Sequence, residues 1–244
     1  MTKNPHSLVP DWPAPANIHA ATTLRTGGVS SGAYASLNMA LHVGDNPDRV
    51  HENRQIVKTR LGLPDEPVWL EQIHSDRVLQ AASNLSLEAA DASVTDAAGV
   101  VLAVMTADCL PLLVCSLDGV QVAAIHAGWR GLLAGIIGNT LSVFGHPELM
   151  VWLGPAIGPA CFEVGAEVRD AFLQKSPASG NAFIPGLNGK WLANIYQLAR
   201  NELEAYGITR VYGGDFCTVT DPRRFYSYRR ENITGRMATL IWRE

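Results

Sequence analysis

Apolar and polar positions recur along the chain with two periods, and the period marks the elements. Behind Asn46-Pro47-Asp48, Val50, Val57 and Leu61 return at helical spacing. Asn46 is placed to cap that helix and Pro47 suits its first position. Leu132, Leu133, Ile136, Ile137, Leu141 and Phe144 form one helical stripe, and Gly131, Ala134, Gly135 and Gly138 crowd the same segment. Glycine costs helix stability, so its presence there predicts close backbone packing. Leu192, Ile195, Leu198, Leu203 and Tyr206 predict another helix, stopped by Gly207.

Period two appears at Val68, Leu70, Gln72 and His74, which alternate with Trp69, Glu71, Ile73 and Ser75 and predict a strand. The apolar runs Gly99–Thr106 (GVVLAVMT) and Arg236–Trp242 (RMATLIW) predict buried strands. Helices and strands mix without a regular βαβ beat, which predicts an α+β fold rather than a doubly wound sheet.

One hairpin carries candidate chemistry. In TADCLPLLVCSLDGVQVAAIHAGWRG, Asp118-Gly119 separates two apolar runs, a strong turn signal. A two-residue loop there pairs Leu117 with Val120 and sets His126 opposite Pro111 and Gly128 opposite Cys109. Cys109, Pro111 and His126 then share a sheet face, with diagonal neighbours roughly 7–8 Å apart. Pro111 is the weak step, because proline has no N–H for the ladder.

A Cys/His pair supports two chemistries beside the ordinary core role. A thiolate beside an imidazole is a nucleophile with its base. The same atoms ligate zinc, and a catalytic zinc needs a third protein ligand. For that ligand His74, ending an alternating strand before Ser75-Asp76, is preferred over His6, His19, His42, His51 and His146. The residues leave both chemistries open. The Gly-Trp-Arg-Gly after His126 starts the next helix, whose N-terminus is a natural anion seat.

Composition narrows the classes. The 244 residues are 47% hydrophobic and 17% charged, as in a globular protein. No apolar run reaches about 18 residues, so no membrane span is predicted. Four prolines interrupt the first 20 residues, which excludes a signal peptide and predicts an extended lead-in over 1–21, with Val9 and Trp12 tucked onto the body. A net charge of −4 argues against a nucleic-acid binder. Cys109, Cys115, Cys161 and Cys217 lack paired short spacing, so reduced thiols and a cytoplasmic location are expected. Cys115 and Cys217 read as strand core, and Cys161 as a structural residue in a Gly-Pro loop near the pocket.

TADCLPLLV, IHAGWRG and LGPAIGPACFEVG together resemble the signature blocks of the laccase-domain family (YfiH type). That family is also described as polyphenol oxidase or purine nucleoside phosphorylase homologues and includes the bacterial peptidoglycan editing factor. TLRTGGVSSGAYASLNMALHVGDNPDRVHENR, WLEQIHSDRV, DASVTD and GGDFCTVTDPRRFYSYRRENITGRMATLIW extend the resemblance over nearly the whole chain from Thr22. Asn194-Ile195 departs from the Asp-Leu expected in most relatives.

The resemblance implies one α/β/β/α catalytic domain over 22–244, related to the catalytic fold of cytotoxic necrotizing factors. It implies that His74, Cys109 and His126 hold one zinc. The implied activities are phosphate-dependent cleavage of adenosine, inosine, guanosine and methylthioadenosine, adenosine deamination, and, alternatively, hydrolytic editing of peptidoglycan precursors. The seven histidines include no His-x-His, against the imidazole-rich copper sets of a laccase, so phenol oxidation is expected only as a weak reaction of adventitious copper.

Phosphorolysis also needs an anion seat and base contacts. Candidate phosphate partners are Arg25, Arg130, and Arg229 or Arg230; Tyr226 and Tyr228 are candidates for stacking on the base or sugar. Asn38 is a candidate for reading ribose or base, or a turn former.

Overall fold

The computed structural model describes residues 6–82, 88–145 and 148–244, so His146 lies outside the described residues. The chain begins with β1 (Ser7–Leu8), β2 (Ile18–Thr23) and α1 (Pro47–Leu61). Short strands follow: β3 (Leu70–Glu71), β4 (Val78–Gln80), β5 (Glu88–Ala89) and β6 (Ala92–Thr95). The central strands are β7 (Leu102–Thr106), β8 (Leu110–Ser116) and β9 (Val122–Ala127). Then come α2 (Trp129–Ala134), α3 (Ile136–Val143), β10 (Leu149–Leu153), β11 (Glu163–Val164) and α4 (Ala166–Lys175). The chain closes with β12 (Phe183–Pro185), β13 (Trp191–Ala193), α5 (Ile195–Ala205), β14 (Val211–Gly213) and β15 (Met237–Arg243).

Two sheets dominate, one antiparallel in the order β1-β2-β15-β7 and one of six strands in the order β14-β10-β8-β9-β6-β4. The larger is mixed, with β14 parallel to β10 and β4 parallel to β6. Strand alternation sorts the side chains into layers. Leu102, Val104 and Ile241 from the first sheet meet Leu113, Cys115, Val122, Ala124, Met150 and Trp152 from the second. The far face of the first sheet, with Ala103, Met105 and Leu240, packs on Val57 of α1. The far face of the second, with Leu112, Ile125 and Val151, packs on Ile136, Phe172 and Leu198 of the other helices. A fully buried Leu or Ile in such layers contributes roughly 1.5–3 kcal/mol. Among the described residues no helix is long and apolar enough to cross a membrane.

The N-terminus of α1 forms as its sequence predicts. The Asn46 side chain accepts from the N–H groups of Asp48 and Arg49, Pro47 opens the helix, and Gly62 ends it at φ +62°. The lead-in differs from expectation. β2 straddles position 21 and pairs with β15, Val9 is 74% exposed, and Trp12 alone of the two packs on the core between the sheets.

Three other elements depart from the periodicity. The strand predicted over 68–75 is regular only at Leu70–Glu71, because the N–H groups of Ile73, His74 and Ser75 turn onto the Asp91 carboxylate. The stripe from 132 to 144 is broken by Gly135 at φ +101° into two short helices. Gly138 still permits the close packing expected, since a Cβ there would collide with the Tyr206 hydroxyl. The hairpin keeps its predicted register, with Pro111 opposite His126, but its loop is wider. The ladder closes where Ser116 N–H donates to Gln121 O, leaving Leu117–Val120 as the connection with Gly119 at φ +71°. Widening a loop by one residue on each strand leaves the pairing unchanged.

Asn194 is the N-cap of α5, its side-chain oxygen accepting from Gln197 N–H at 3.1 Å. Asparagine and aspartate cap equally well, so the departure at this position has no structural cost. Asn194→Asp is expected to leave the urea midpoint unchanged, whereas Asn194→Ala should lose about 1 kcal/mol at unaltered m-value.

Candidate active site

Alternation carries the chemistry to one end of the core between the sheets. On β9 the even positions Val122 and Ala124 face the opposite sheet, and His126 continues their row. Cys109 lies one residue outside β8, beyond Leu110 and Pro111. The ladder survives Pro111: the facing His126 N–H donates to Asp91 O on the other side, and Pro111 O accepts from Gly154. Where this apolar filling stops, a cavity of about 530 Å³ opens with His74, Cys109 and His126 in its wall. The volume falls within the roughly 300–1,000 Å³ usual for small-molecule sites.

One donor atom from each of His74, Cys109 and His126 lies within 4.8 Å of the others. Cys109 Sγ is 4.0 Å from His74 Nε2, and the two imidazoles meet edge to face at 4.9 Å. Gly128 makes room, since a Cβ there would stand 3.0 Å from Cys109 Sγ and 3.1 Å from His74 Cδ2. His74 and Asp108 both adopt positive φ, at 59° and 90°. Such backbone strain persists only where surrounding contacts hold it.

Asp91 supplies those contacts at His74. Its buried carboxylate accepts from the N–H groups of Ile73, His74 and Ser75, from Ser75 Oγ, and from His126 Nδ1 at 2.8 Å. Burial alone would raise this carboxyl, but the hydrogen bonds from His126 and Ser75 hold it down to about 2. With Nδ1 turned to Asp91, His126 presents Nε2 to the cluster, the arrangement that orients a metal-ligating histidine. Gln72 anchors the same loop by closing two hydrogen bonds with the Met105 backbone at 2.7 and 2.8 Å. Asp108 acts similarly on the other wall, accepting from Thr218, Ser227 and the Arg229 N–H.

The metal-free electrostatics are those of an ion pair. Burial pushes the Cys109 thiol up, yet His126 and His74 bring it down to about 6. Burial pushes His126 down, while Cys109 and Asp91 raise it to about 9. A thiolate and two imidazoles suit zinc or copper, and a metal bound there would take the place of the proton on His126 Nε2.

The other expected residues divide. Arg130 lines the cavity, stacked on Trp129 at 4.4 Å, and among the described residues its guanidinium has no hydrogen-bond or ion-pair partner. Arg229 also lines it, with its guanidinium donating to Cys161 O and Glu163 O. Arg236, not singled out by sequence reasoning, joins them. Arg25 lies outside the lining and is spent on Ala35 O, Pro222 O and Glu231. Asn38 is fully buried, its amide donating to Ala40 O and Asp45 and its oxygen accepting from Ala40 and Arg236 N–H, which leaves nothing for a ligand. Arg230 braces backbone carbonyls, and Tyr226 is buried with its hydroxyl donating to Tyr34 O, while Tyr228 does line the cavity.

The helix behind His126 is only six residues long, so its dipole is a minor part of any anion seat. His42 lines the cavity outside the three-donor cluster; His6 bonds Thr26, His19 stacks on Trp242, and His51 is exposed on α1. Cys115 is core, its thiol pushed up to about 12 by burial. Cys217 is not in a strand: it lies in a loop and accepts Gly158 N–H at 3.2 Å. Asp91 and Asp108 were inside recognisable blocks, but nothing local marks a carboxylate that will be buried by distant loops.

The family model described as multi-copper polyphenol oxidoreductase laccase matches residues 19–244. A Pseudomonas aeruginosa protein named purine nucleoside phosphorylase is 52% identical over 238 residues, covering 96% of this chain and 97% of that one. Escherichia coli YfiH, named likewise, is 50% identical, covering 96% and 98%. A crystal structure from Neisseria meningitidis superposes with TM-score 0.95 at 51% identity, covering 98% and 99%.

Two outcomes follow from this geometry. In metal-free protein, iodoacetamide alkylation of Cys109, read by peptide mass spectrometry, should rise with a midpoint near pH 6 rather than the ordinary 9.0, because the thiolate exists above its lowered pKa. Asp91→Asn should weaken zinc binding about 10–100-fold in chelator competition, since the amide cannot accept the same set of hydrogen bonds.

Proposed function

Because the chain belongs to the family described as multi-copper polyphenol oxidoreductase laccase, and its relatives named above are called purine nucleoside phosphorylases, we propose that it is a zinc-dependent purine nucleoside phosphorylase. One observation carries the reading: His74, Cys109 and His126 share a cavity wall with Arg130, whose guanidinium has no hydrogen-bond or ion-pair partner among the described residues. His74, Cys109 and His126 would hold the zinc, which would supply a Lewis acid beside the substrate. Arg130 binds phosphate, a role suited to a guanidinium, and Arg229 and Arg236 add positive potential nearby. Phe162, Trp129 and Tyr228 offer faces on which purine and sugar pack. Asp91 keeps the His126 ring fixed throughout.

Adenosine deamination is assigned to the same centre, and adenosine, inosine, guanosine and methylthioadenosine are the proposed nucleosides. Residues 22–244 form one catalytic unit in this reading, of the layered kind found in cytotoxic necrotizing factors. A cytoplasmic location, where thiols stay reduced, belongs to the same reading. Among the described residues the donors gather in one three-residue cluster, whereas laccase chemistry needs several imidazole-rich sites. Phenol oxidation is accordingly a minor reaction of copper taken up there.

Chromatography of adenosine incubated with zinc-loaded protein, with and without phosphate, tests the proposal. Adenine and ribose 1-phosphate should form only with phosphate and be lost in Cys109→Ala. Inosine formed without phosphate would demonstrate the deaminase. Neither product from folded, zinc-bearing protein would transfer the site to hydrolytic editing of peptidoglycan precursors.

A further inference from the structure

Two cysteines away from the donor cluster are joined through one glycine. Gly158 N–H donates to Cys217 Sγ at 3.2 Å, and Gly158 O accepts from Cys161 N–H at 3.0 Å. The turn over 158–161 thereby brings the two side chains together, and their thiols stand within hydrogen-bonding reach of each other. Glycine permits the approach, since a Cβ at position 158 would stand 2.9 Å from Cys217 Cβ. Both residues are partly exposed, and their sulfurs lie at shallower depth than that of the buried Cys115. A second cavity, of about 450 Å³, opens beside Cys217.

The surroundings of the two sulfurs differ. Burial pushes the Cys217 thiol up, but the Thr220 hydroxyl and the N–H groups of Thr220, Gly158 and Val219 donate to the sulfur and hold it below the ordinary cysteine value. Burial pushes Cys161 up, and the neighbouring Cys217 sulfur adds to the effect. On Cys115, which only fills space, burial acts alone. A donor-supported thiolate beside a neutral thiol suits oxidation at the first sulfur and resolution by the second. Independently of the nucleoside reading, we propose that Cys217 and Cys161 are a hydroperoxide-responsive thiol pair, closed to a disulfide by oxidation and reopened by a dithiol. The Cys217 thiolate attacks a peroxide oxygen: the S–O bond forms, the O–O bond breaks, and the departing oxyanion takes a proton from water. Sulfur is oxidised to sulfenic acid and the peroxide is reduced. Cys161 then gives up its proton and attacks the Cys217 sulfur. The S–S bond forms, the S–O bond breaks, and hydroxide leaves with that proton as water. The sulfurs close from hydrogen-bonding reach to an S–S bond of about 2.05 Å. The link joins two segments that hold the main cavity wall. Cys161 O accepts from the Arg229 guanidinium, and Thr218, next to Cys217, donates to Asp108. Transient, redox-sensing disulfides are the kind found in otherwise reducing compartments.

The test treats reduced wild type with stoichiometric hydrogen peroxide, blocks free thiols with N-ethylmaleimide, and maps unreduced peptides by mass spectrometry. The peptide bearing Cys161 should be linked to the one bearing Cys217 in monomeric protein, and dithiothreitol should release both. In Cys161→Ser the sulfenic acid should persist on Cys217 and be trapped by dimedone about tenfold faster than any adduct on Cys161 in Cys217→Ser. Adding Thr220→Val to Cys161→Ser removes one donor and should slow the trapping on Cys217. The wild-type measurement needs no substitution, so a variant that fails to fold leaves the test standing. Peroxide that leaves both thiols free, or that drives Cys217 to sulfinic acid without a link, overturns the proposal. A link of either cysteine to Cys109, or a link found only in covalent dimers, overturns it as well. Equal trapping on the two cysteines overturns the assignment of Cys217 as the sulfur oxidised first.

Discussion

The buried carboxylate of Asp91 is the constraint on which the site depends. It gathers three successive backbone N–H groups, a serine hydroxyl and the His126 ring, and so ties the loop bearing His74 to the strand bearing His126. A carboxylate buried without such partners would be neutral or would open the structure. With them it is held ionised, at a carboxyl pKa of about 2. The same bonds end a strand early and hold His74 at positive φ, so local regularity is given up to bring a distant imidazole to Cys109.

The two-sheet architecture makes room for that arrangement. Alternating apolar rows seal most of the space between the sheets, and the last positions of those rows are Thr106 and His126, with Cys109 just beyond β8. Changing side chains at the end of a row converts packed core into a lined cavity without altering the ladder. Asp108 closes the opposite wall by binding the C-terminal loop that carries Arg229, so each wall is fixed by one acid. Rigidity on both sides suits a site that must hold three soft or borderline donors within ligating distance.

Much of this was legible where the signal was local. The hairpin register followed from Asp-Gly and the apolar runs, and it survived a loop wider than expected. The cap at Asn46 and the stop at Gly207 each depend on a few neighbouring residues. Function read from residue type alone fared less evenly. Arg25, Asn38 and Tyr226 have the right chemistry for a substrate but are consumed by carbonyls and N–H groups from remote segments. Among the described residues Arg130 has no such partner. Its place in the Gly-Trp-Arg-Gly behind His126 set it apart, whereas nothing local showed that Arg25 would be consumed.

By itself the sequence determined the elements whose periodicity and end signals are short-range, the facing of His126 and Pro111, and the family resemblance that nominated His74. Tertiary structure alone decided which polar groups are free. A hydrogen-bonding group is consumed by whatever the fold brings within about 3 Å, and those partners lie far away in the chain. The capture of the 73–75 backbone by Asp91 and the spending of Arg25 and Asn38 on remote segments are of this kind. Each depends on long-range packing, which no local pattern encodes.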